Sequence, residues 1–252
     1  MAPIRKGDGT PLEIPGVSEV RSGDGRVFFE GDAIPDSVNN QWPANEGEGS
    51  VLSNNILSVD INLNGGGWSW DNDVKWDEDI APISDGSTGT FFESESEISG
   101  LNSERGGLIF WVDVESFASN APLYSTDVAS EGTPENGTTI RLDGDDLKLL
   151  QQPGGEENTF DAIKVAERVL YAVGWDGDNI EIWGYDTSDD SSTAQFLDET
   201  VTDERGVSND EHLSGFSRTD VDREVEGGIE QIATFDDTPD TNDVEAFWEQ
   251  TK

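Results

Sequence analysis

The sequence predicts an all-β protein, a sandwich or jelly roll that ends in one short helix. Three observations predict this class. Short segments with alternating apolar residues recur along the chain, Asp-Gly and Gly-rich turns separate them, and helical spacing is confined to the C-terminal residues. The 252 residues include 8 Trp, 11 Phe and 3 Tyr, which is enough apolar volume for a core. Many short strands with regular turns are typical of sandwiches and jelly rolls.

Residues 1–38 are predicted to form a small N-terminal β-hairpin and attachment region, and residues 39–252 a single sandwich domain. Gly-Asp-Gly turns at 7–9 and 23–25 punctuate the N-terminal region, and residues 33–37 are typical of a linker. A region of this size is too small to bury its own core, so we expect it to dock onto something larger. Attachment to another protein and packing against the main domain are both open.

The first half of the sandwich is predicted from alternation and from one fully apolar segment. Residues 55–63 alternate, with Leu57 and Leu63 among four apolar side chains on one face, as in a half-buried strand. Residues 107–114 are apolar on both faces, which indicates a central strand. Shorter strands are expected at 90–93 and 123–127.

The second half is predicted as two hairpins, a polar region, a last strand and a helix. Asp-Gly turns at 143–146 and 176–179 each separate two apolar segments, as in β-hairpins. The polar residues 186–216 are expected to be rich in loops, and residues 228–235 to form a late strand. Near the C-terminus, Asn242 with Glu245 three residues later fits a helix N-cap, and three apolar side chains would then share one face: Val244, Phe247 and Trp248.

The charge of the chain predicts adaptation to high salt. There are 55 Asp and Glu against 14 Lys and Arg, a formal net charge of −41, and this repulsion opposes a compact fold unless salt screens it. At 1 M salt the Debye length is about 3 Å, so distant surface charges interact weakly. We therefore expect a protein of a halophile or of a virus that infects one. The same charge argues against nucleic acid and anionic membranes as partners.

Several kinds of chemistry are excluded by what the sequence lacks. There is no Cys, which excludes disulfides and thiol chemistry, and the single histidine, His212, excludes His-rich zinc sites. We expect His212 to lie in an exposed loop. No apolar run reaches transmembrane length and the N-terminus has no apolar signal stretch, so synthesis in a cytoplasm is expected.

Three ordered segments carry a resemblance to a known superfamily. They are the Ile-Phe-Trp-Val segment at 109–112, the strand, Asp-Gly turn and strand at 170–183, and the Gly-Gly-Ile segment at 227–235 that precedes the helix. In this order they resemble the laminin-G-like, concanavalin-A-like lectin and glucanase superfamily. The resemblance implies a concanavalin-A-like jelly roll over the sandwich domain. The segment departs from the usual pattern at Gln231 and Thr234.

The N-terminal region resembles another class of protein. Residues 20–28 and 32–37, placed before such a domain, look like virion proteins of tailed viruses of haloarchaea. The resemblance implies a tail-fibre or receptor-binding protein on the virion surface, made in the host cytoplasm. Its sandwich would meet a host surface glycan or glycoprotein. A homo-oligomer is expected, and the analogy with fibres implies a trimer. Four basic residues are the candidates for attachment to other virion proteins: Arg5, Lys6, Arg21 and Arg26.

Two other functions stay open beside adhesion. A decoration protein would only stabilise the particle. A glycan-cleaving enzyme is the third hypothesis, because the superfamily includes hydrolases with a Glu-x-Asp-x-x-Glu strand that presents carboxylates on one face. That motif is incomplete wherever acidic residues cluster here, as at 77–79, 93–97 and 113–115. We therefore expect a binding protein and no enzyme.

The stretch 68–76 is the most unusual of the chain, with three Trp in nine residues after a triple glycine. Indole rings suit the C–H faces of sugars, and acidic side chains between them would supply hydrogen bonds. The candidate ligand-binding residues are Trp68, Trp70, Asp71, Asp73 and Trp76. The alternative is that these tryptophans fill the sandwich or an oligomer interface, which the strand-like alternation of Trp68 and Trp70 favours.

The two acidic hairpin turns are candidate calcium sites. Calcium takes oxygen ligands, and laminin-G-like domains bind it near such loops, so the resemblance implies Asp143, Asp145, Asp176 and Asp178 as ligands. The alternative is that Asp-Gly is simply the chemistry that a tight hairpin requires.

Overall fold

The structure is a computed structural model of the whole chain. It describes residues 20–21, 27–28, 38–44, 46–57, 59–71, 81–126, 136–165, 167–186, 195–208, 210–217 and 223–251. Over these residues the chain forms two large sheets packed face to face, with one helix on the outer face of one sheet. The predicted all-β sandwich with a short C-terminal helix is thereby confirmed.

The first ten strands run to the middle of the chain. They are β1 (Val20–Arg21), β2 (Val27–Phe28), β3 (Val38–Trp42), β4 (Val51–Leu52), β5 (Ile61–Asn64), β6 (Trp68–Asp71), β7 (Ala81–Asp85), β8 (Phe91–Ser94), β9 (Ile98–Ser99) and β10 (Gly106–Phe117).

The remaining strands and the helix complete the fold. They are β11 (Ala121–Ser125), β12 (Gly137–Asp143), β13 (Asp146–Gln152), β14 (Glu156–Phe160), β15 (Arg168–Trp175), β16 (Asn179–Asp186), β17 (Gln195–Thr202), β18 (Asp210–Glu211), β19 (Ser214–Gly215), β20 (Val225–Phe235) and α1 (Thr241–Thr251).

The strand order fixes which strands lie at the sides of the sandwich. The sheet that carries the helix, here the helix sheet, has the order β17-β16-β15-β10-β20-β7-β6, and β3 pairs with β20 beyond the end of β7. The opposite sheet has the order β14-β13-β12-β11-β19-β8-β5-β4. Outside these sheets β1 pairs with β2 and β9 with β18, each antiparallel. The β1–β2 pair lies within the region predicted as an N-terminal hairpin.

The central strand β10 is buried on both faces, as its continuous apolar sequence predicts. Leu108 and Phe110 point into the core between the sheets, whereas Ile109 and Trp111 point to the outer face beneath α1. Four fully buried Trp side chains occupy these two layers: Trp42, Trp111, Trp175 and Trp183. Burial of such large side chains is the main stabilising term of the sandwich.

The helix N-cap lies two residues before the predicted cap, Asn242. The Asp240 carboxylate accepts hydrogen bonds from the backbone N–H groups of Asn242 and Asp243, at 2.7 and 3.0 Å, so Asp240 is the N-cap. Asp243 returns a hydrogen bond by accepting from the Asp240 N–H at 3.1 Å. The predicted apolar face is confirmed, since Val244, Phe247 and Trp248 are buried.

Two predictions about elements are wrong. The strand expected over 55–63 is limited to β5, and Leu57 is 53% exposed in a turn, because the Asn54 side chain accepts the N–H groups of Ile56 and Leu57 at 2.9 and 3.0 Å. The stretch 186–216, expected to be loop-rich, contains the eight-residue strand β17. This strand lies at the side of its sheet, where exposed polar residues hide the alternation.

Candidate functional site

A tight glycine turn sets the position of the Trp-rich strand β6. Gly65 has φ of 87°, and a Cβ there would lie 2.3 Å from the Gly89 carbonyl oxygen. At Gly67 a Cβ would lie 2.0 Å from an Asp85 carboxylate oxygen. Only glycine fits at these two positions, so Gly65 and Gly67 form the tight turn that places Trp68 beside β7.

The carboxylate of Asp85 holds the neighbouring loop against this turn. It accepts a hydrogen bond from the Ser87 N–H at 2.9 Å, and the hydrogen bonds from Ser87 lower the pKa of Asp85 below its ordinary value. Its own N–H donates to the Gly67 carbonyl at 3.0 Å. The glycine turn and the hydrogen bond between Asp85 and Gly67 therefore fix the start of β6.

Trp68 lies at the margin of the core. Strand β6 is the side strand of the helix sheet, and Trp68 pairs with Ser84 of β7. Its ring stacks on Phe216 with 5.8 Å between centroids and 23° between planes, and its indole N–H donates to the Asn64 carbonyl at 2.9 Å. Because both the ring and the N–H have partners, Trp68 acts mainly as packing.

Trp70 closes the gap between the two sheets at this side. It points the same way as Trp68, packs against the core and stays half-buried. Its indole N–H donates to the Gly49 carbonyl at 2.9 Å, just before β4 of the opposite sheet. The nitrogen is thus occupied by the main chain, and the ring face is the part that a ligand can contact.

Exposed apolar side chains surround the neighbouring β4–β5 hairpin. Among the described residues, five large hydrophobic side chains are exposed, and three of them lie within the first seven residues of this hairpin: Val51, Ile56 and Leu57, at 37%, 46% and 53%. Trp68, Trp70 and Val51, on the side strands β6 and β4, are called the aromatic edge below. An apolar edge of this kind is suited to stacking and to apolar contacts.

The other residues predicted for ligand binding are less defined. Asp71 is the last residue of β6, where its backbone pairs with Ala81. Asp73 and Trp76 lie outside the described residues. The structure therefore brings Trp68 and Trp70 together on one face, as their alternation predicts, and both rings pack against the core.

The four predicted calcium ligands are divided between opposite ends of the sandwich. The turn with Asp143 and Asp145 lies where β10 ends, because Leu142 pairs with Ala121 of β11. The turn with Asp176 and Asp178 lies where β10 begins, because Trp175 pairs with Gly106. These two turns cannot contribute to one shared ion site.

Two of the carboxylates already serve the turns themselves. Asp143 pairs with Lys148 at 2.8 Å and accepts the Ser119 hydroxyl at 2.6 Å, and these contacts lower its pKa, Lys148 most. Asp176 accepts the N–H groups of Asn179 and Asp178 at 2.7 and 2.9 Å, which lowers its pKa. In the part of the chain that the structure describes, no group of three or more Asp, Glu or His side chains is placed to hold a metal ion.

The predicted attachment residues fall largely outside the described chain. Arg21 pairs through its backbone with Val27 in the β1–β2 ladder. Arg5, Lys6 and Arg26 lie outside the described residues.

The single histidine joins two strands. His212 is half-buried, not exposed as predicted, and its Nδ1 lies 3.1 Å from the Ser94 carbonyl oxygen and 3.4 Å from the Ser94 hydroxyl. Ser94 is only 2% exposed and its hydroxyl accepts the Leu213 N–H at 3.1 Å. This serine is closed off from a substrate, so the pair connects β8 to the segment before β19 and presents no nucleophile.

Sequence reasoning did not find two buried arginines. Arg205 is 7% exposed; it lies 4.7 Å from the Trp175 ring centroid, pairs with Asp203 at 3.1 Å and donates to the Asn102 side chain at 2.6 Å. Arg168, also 7% exposed, lies over Trp111 and donates to Glu230 at 2.7 Å. The chain has only 14 basic residues, so an arginine next to an apolar segment is the sequence signal that could have indicated a buried arginine side chain.

A cavity in the core is too small for a ligand. It lies between the sheets, beside Phe92, Leu123 and Phe216, and has a volume of about 10 Å³. This is about the space of one water molecule, and the lining is apolar, so the cavity is a packing gap. Among the described residues, no helix has the length and apolarity that a bilayer-spanning segment requires.

Comparison with known proteins defines the fold and leaves the family open. No protein-family model matches the sequence, and no curated protein is significantly similar to it. Among solved structures, the chain is similar to domain 4 of AbnA, a GH43 extracellular arabinanase from Geobacillus stearothermophilus in complex with arabinotriose. That match has a TM-score of 0.57 at 12% identity and covers 86% of this chain and 98% of that one.

Two further solved structures share the architecture. The binding domain of botulinum neurotoxin serotype D has a TM-score of 0.60 at 11% identity and covers 86% of this chain. Trypanosoma rangeli sialidase in complex with sialic acid has a TM-score of 0.60 at 10% identity and covers 92%. The chain spans about half of the first protein (51%) and a third of the second (35%). At these identities the likeness establishes a shared β-sandwich fold.

Proposed function

We propose that this chain is a glycan-binding adhesive domain without catalytic activity, and that it binds sugars at the aromatic edge. The observation that carries the proposal is the Trp70 ring, which is half-exposed and held at its N–H by the Gly49 carbonyl. A ring that is fixed before binding loses little conformational freedom when a sugar stacks on it. The sandwich fold, shared with an arabinanase domain that was solved with arabinotriose, supports the same choice.

The charge of the chain supports a neutral glycan as ligand. A surface with a net charge of −41 repels anionic ligands, and concentrated salt weakens recognition that depends on ion pairs. Contacts between a ring face and sugar C–H groups are not screened by salt. The aromatic edge is therefore suited to binding under the high-salt conditions that the composition predicts.

We further propose that the chain acts on a virion, as a tail-fibre or receptor-binding protein. The support is the resemblance of residues 20–28 and 32–37 to virion proteins of haloarchaeal tailed viruses. Residues 1–38 would then attach the sandwich to the particle as a homo-trimer, and the sandwich would meet a glycan or glycoprotein of the host. Association with purified particles and loss of adsorption when the sandwich is blocked would support this role. Association without an adsorption defect would favour a decoration protein.

Glycan binding is tested by a Trp70→Ala variant. In buffer with about 1 M salt or more, where surface repulsion is screened, we expect the affinity for the best sugar in a panel of neutral oligosaccharides, arabinotriose included, to fall about tenfold. Titration calorimetry measures the affinity, and circular dichroism checks that the variant is folded.

Phe160→Ala is the matched control, because Phe160 is also half-buried on a side strand, β14, at the opposite side of the sandwich. Equal losses in both variants, or no binding of any sugar by the unmodified protein, would contradict the proposed site. Release of reducing sugars from the panel would instead favour the glycan-cleaving enzyme.

A further inference from the structure

The helix α1 packs on the outer face of the helix sheet through an apolar layer. Phe247 and Trp248 lie against the sheet residues Trp183 and Tyr185, and the rings of Tyr185 and Trp248 are 5.7 Å apart. The approach to the helix is anchored. The Thr238 hydroxyl donates to the Trp175 carbonyl at 2.6 Å, and Pro239 packs so tightly that a Cβ on Gly107 would lie 2.5 Å from it. Movement of α1 would therefore pivot at Pro239.

Carboxylates lie on both sides of the contact between α1 and the outer face of β16, the strand beside β17; this region is here called the helix seam. Glu181 and Asp198 belong to the sheet, whereas Asp240 and Glu245 belong to the helix and its cap. Among the ion pairs of the described residues, none includes any of these four. The helix thus docks against like charges.

The electrostatic effect of these neighbouring charges falls on Glu181 and Tyr185 of β16. Partial burial raises the pKa of Glu181, and the neighbouring Asp176, Asp198 and Asp240 raise it further. Burial also raises the pKa of Tyr185 to about 12, with contributions from Glu245 and Asp198. The repulsion between like charges across the helix seam therefore depends on ionic strength.

Beneath and beside the helix, buried hydrogen-bonding atoms have no partner within the described chain. They are Trp183 Nε1, the Tyr185 hydroxyl and Gln195 Nε2. Tyr185 pairs with Gln195 across β16 and β17, and Trp183 with Asp198, so all three atoms belong to the same outer face. A buried donor without a partner opposes docking, because water satisfies it when the helix lifts.

We propose that α1 is a salt-dependent latch. In concentrated salt the repulsion across the helix seam is screened within about 3 Å, and the apolar layer holds the helix down. As the salt falls to about 0.1 M, the screening length grows to about 10 Å, and α1 leaves the outer face of the helix sheet before the sandwich itself unfolds. Release uncovers the aromatic face of Trp183 and Tyr185 together with their free donors. The latch does not depend on glycan binding.

Hydrogen exchange on the full chain, measured over a series of salt concentrations, tests the latch. We expect the amides of α1 to lose protection at a higher salt concentration than the amides of the central strand β10. In a Glu181→Gln, Asp198→Asn, Glu245→Gln variant, the salt midpoint for α1 should fall at least twofold. The midpoint for β10 should change much less.

The matched control removes the same charge elsewhere. Glu48, Glu95 and Asp145 are exposed and belong to loops of the opposite sheet, so the variant Glu48→Gln, Glu95→Gln, Asp145→Asn should leave the gap between the two midpoints unchanged. Simultaneous loss of protection in α1 and β10 of the unmodified protein would overturn the latch. An equal fall of the α1 midpoint in both variants would also overturn it, since net charge alone would then explain the effect.

Discussion

The two sides of the sandwich are closed in different ways. At the aromatic edge, β6 and β4 meet through indole rings, and Trp68 and Trp70 each donate an N–H to a main-chain carbonyl. At the other side, Phe160 of β14 and Phe196 of β17 pack against the core, and the Gln151 side chain of β13 donates to the Thr202 carbonyl of β17 at 2.9 Å. Exposed carboxylates line these strands, here called the acidic edge: Glu156, Glu157, Asp198 and Glu199.

The difference affects how each side of the sandwich interacts with other molecules. A side strand has unpaired backbone groups that invite pairing with another chain, and carboxylates at the acidic edge oppose such pairing by repulsion. The aromatic edge has apolar side chains in the same structural position. In a chain with a net charge of −41, that leaves the aromatic edge as the side suited to contact with a ligand.

The largest expected effect comes from breaking the buried ion pair between Arg205 and Asp203 near the acidic edge. Arg205→Met would leave Asp203, whose side chain is 3% exposed, without its positive partner, and the free energy of unfolding should fall by about 3 to 5 kcal/mol. Urea unfolding in concentrated salt measures it. Arg105→Met is the control, because Arg105 and its partner Asp237 are 58% and 60% exposed and should matter much less. A similar loss in both variants would show that the buried pair is not special.

The second-largest effect is expected from removing the Trp68 ring at the aromatic edge. Trp68→Ala removes the ring that stacks on Phe216, and because Trp68 is only half-buried we expect a loss of about 2 to 3 kcal/mol in the free energy of unfolding. Trp68→Phe keeps an aromatic ring and should recover most of the loss. If Trp68→Ala unfolded at the same urea concentration as the unmodified protein, the ring would not close this side.

The smallest effect concerns the ion pairs of Lys148, whose ammonium lies 2.8 Å from Asp143 and 3.2 Å from Glu157 of the acidic edge. These contacts, Asp143 first, raise the pKa of Lys148, and Lys148 lowers the pKa of Asp143. A carboxylate with a lowered pKa stabilises the fold above its ordinary pKa, and this contribution is lost as the pH falls through the lowered value.

Lys148→Met should therefore reduce stability slightly at neutral pH in moderate salt, and the difference from the unmodified protein should vanish in strong acid and in concentrated salt. Thermal unfolding at several pH values measures it. A difference that persisted unchanged in acid would mean that packing of the lysine stem, and not its charge, stabilises the edge.

Where local patterns are strong, the sequence predicts the elements well. The apolar segment 107–114 predicts the doubly covered strand β10, and the Asp-Gly turn at 176–179 predicts the hairpin of β15 and β16. Residues 55–63 have an equally regular pattern and yet form a turn around Leu57, because a single side chain, Asn54, binds the backbone N–H groups there. Side-chain competition for the backbone is local, but periodicity does not reveal it.

The candidate site was predicted in part. Alternation places Trp68 and Trp70 on one face, and the triple glycine before them predicts a close turn. Alternation does not reveal which strands lie beside β6. Trp70 presents its ring because β6 pairs only with β7 among the described strands, and because Gly49 of the opposite sheet lies within reach of the indole N–H.

By itself the sequence determined the fold class, the sandwich core and the apolar face of the terminal helix, since each depends on the spacing of apolar residues along a short segment. Tertiary structure decided which strands lie at the sides, where the scarce arginines Arg168 and Arg205 are buried, and that α1 packs on the outer face of the helix sheet. The physical reason is that strand pairing joins residues far apart in the chain. Local periodicity fixes the face on which a side chain lies, but long-range pairing fixes what that face meets.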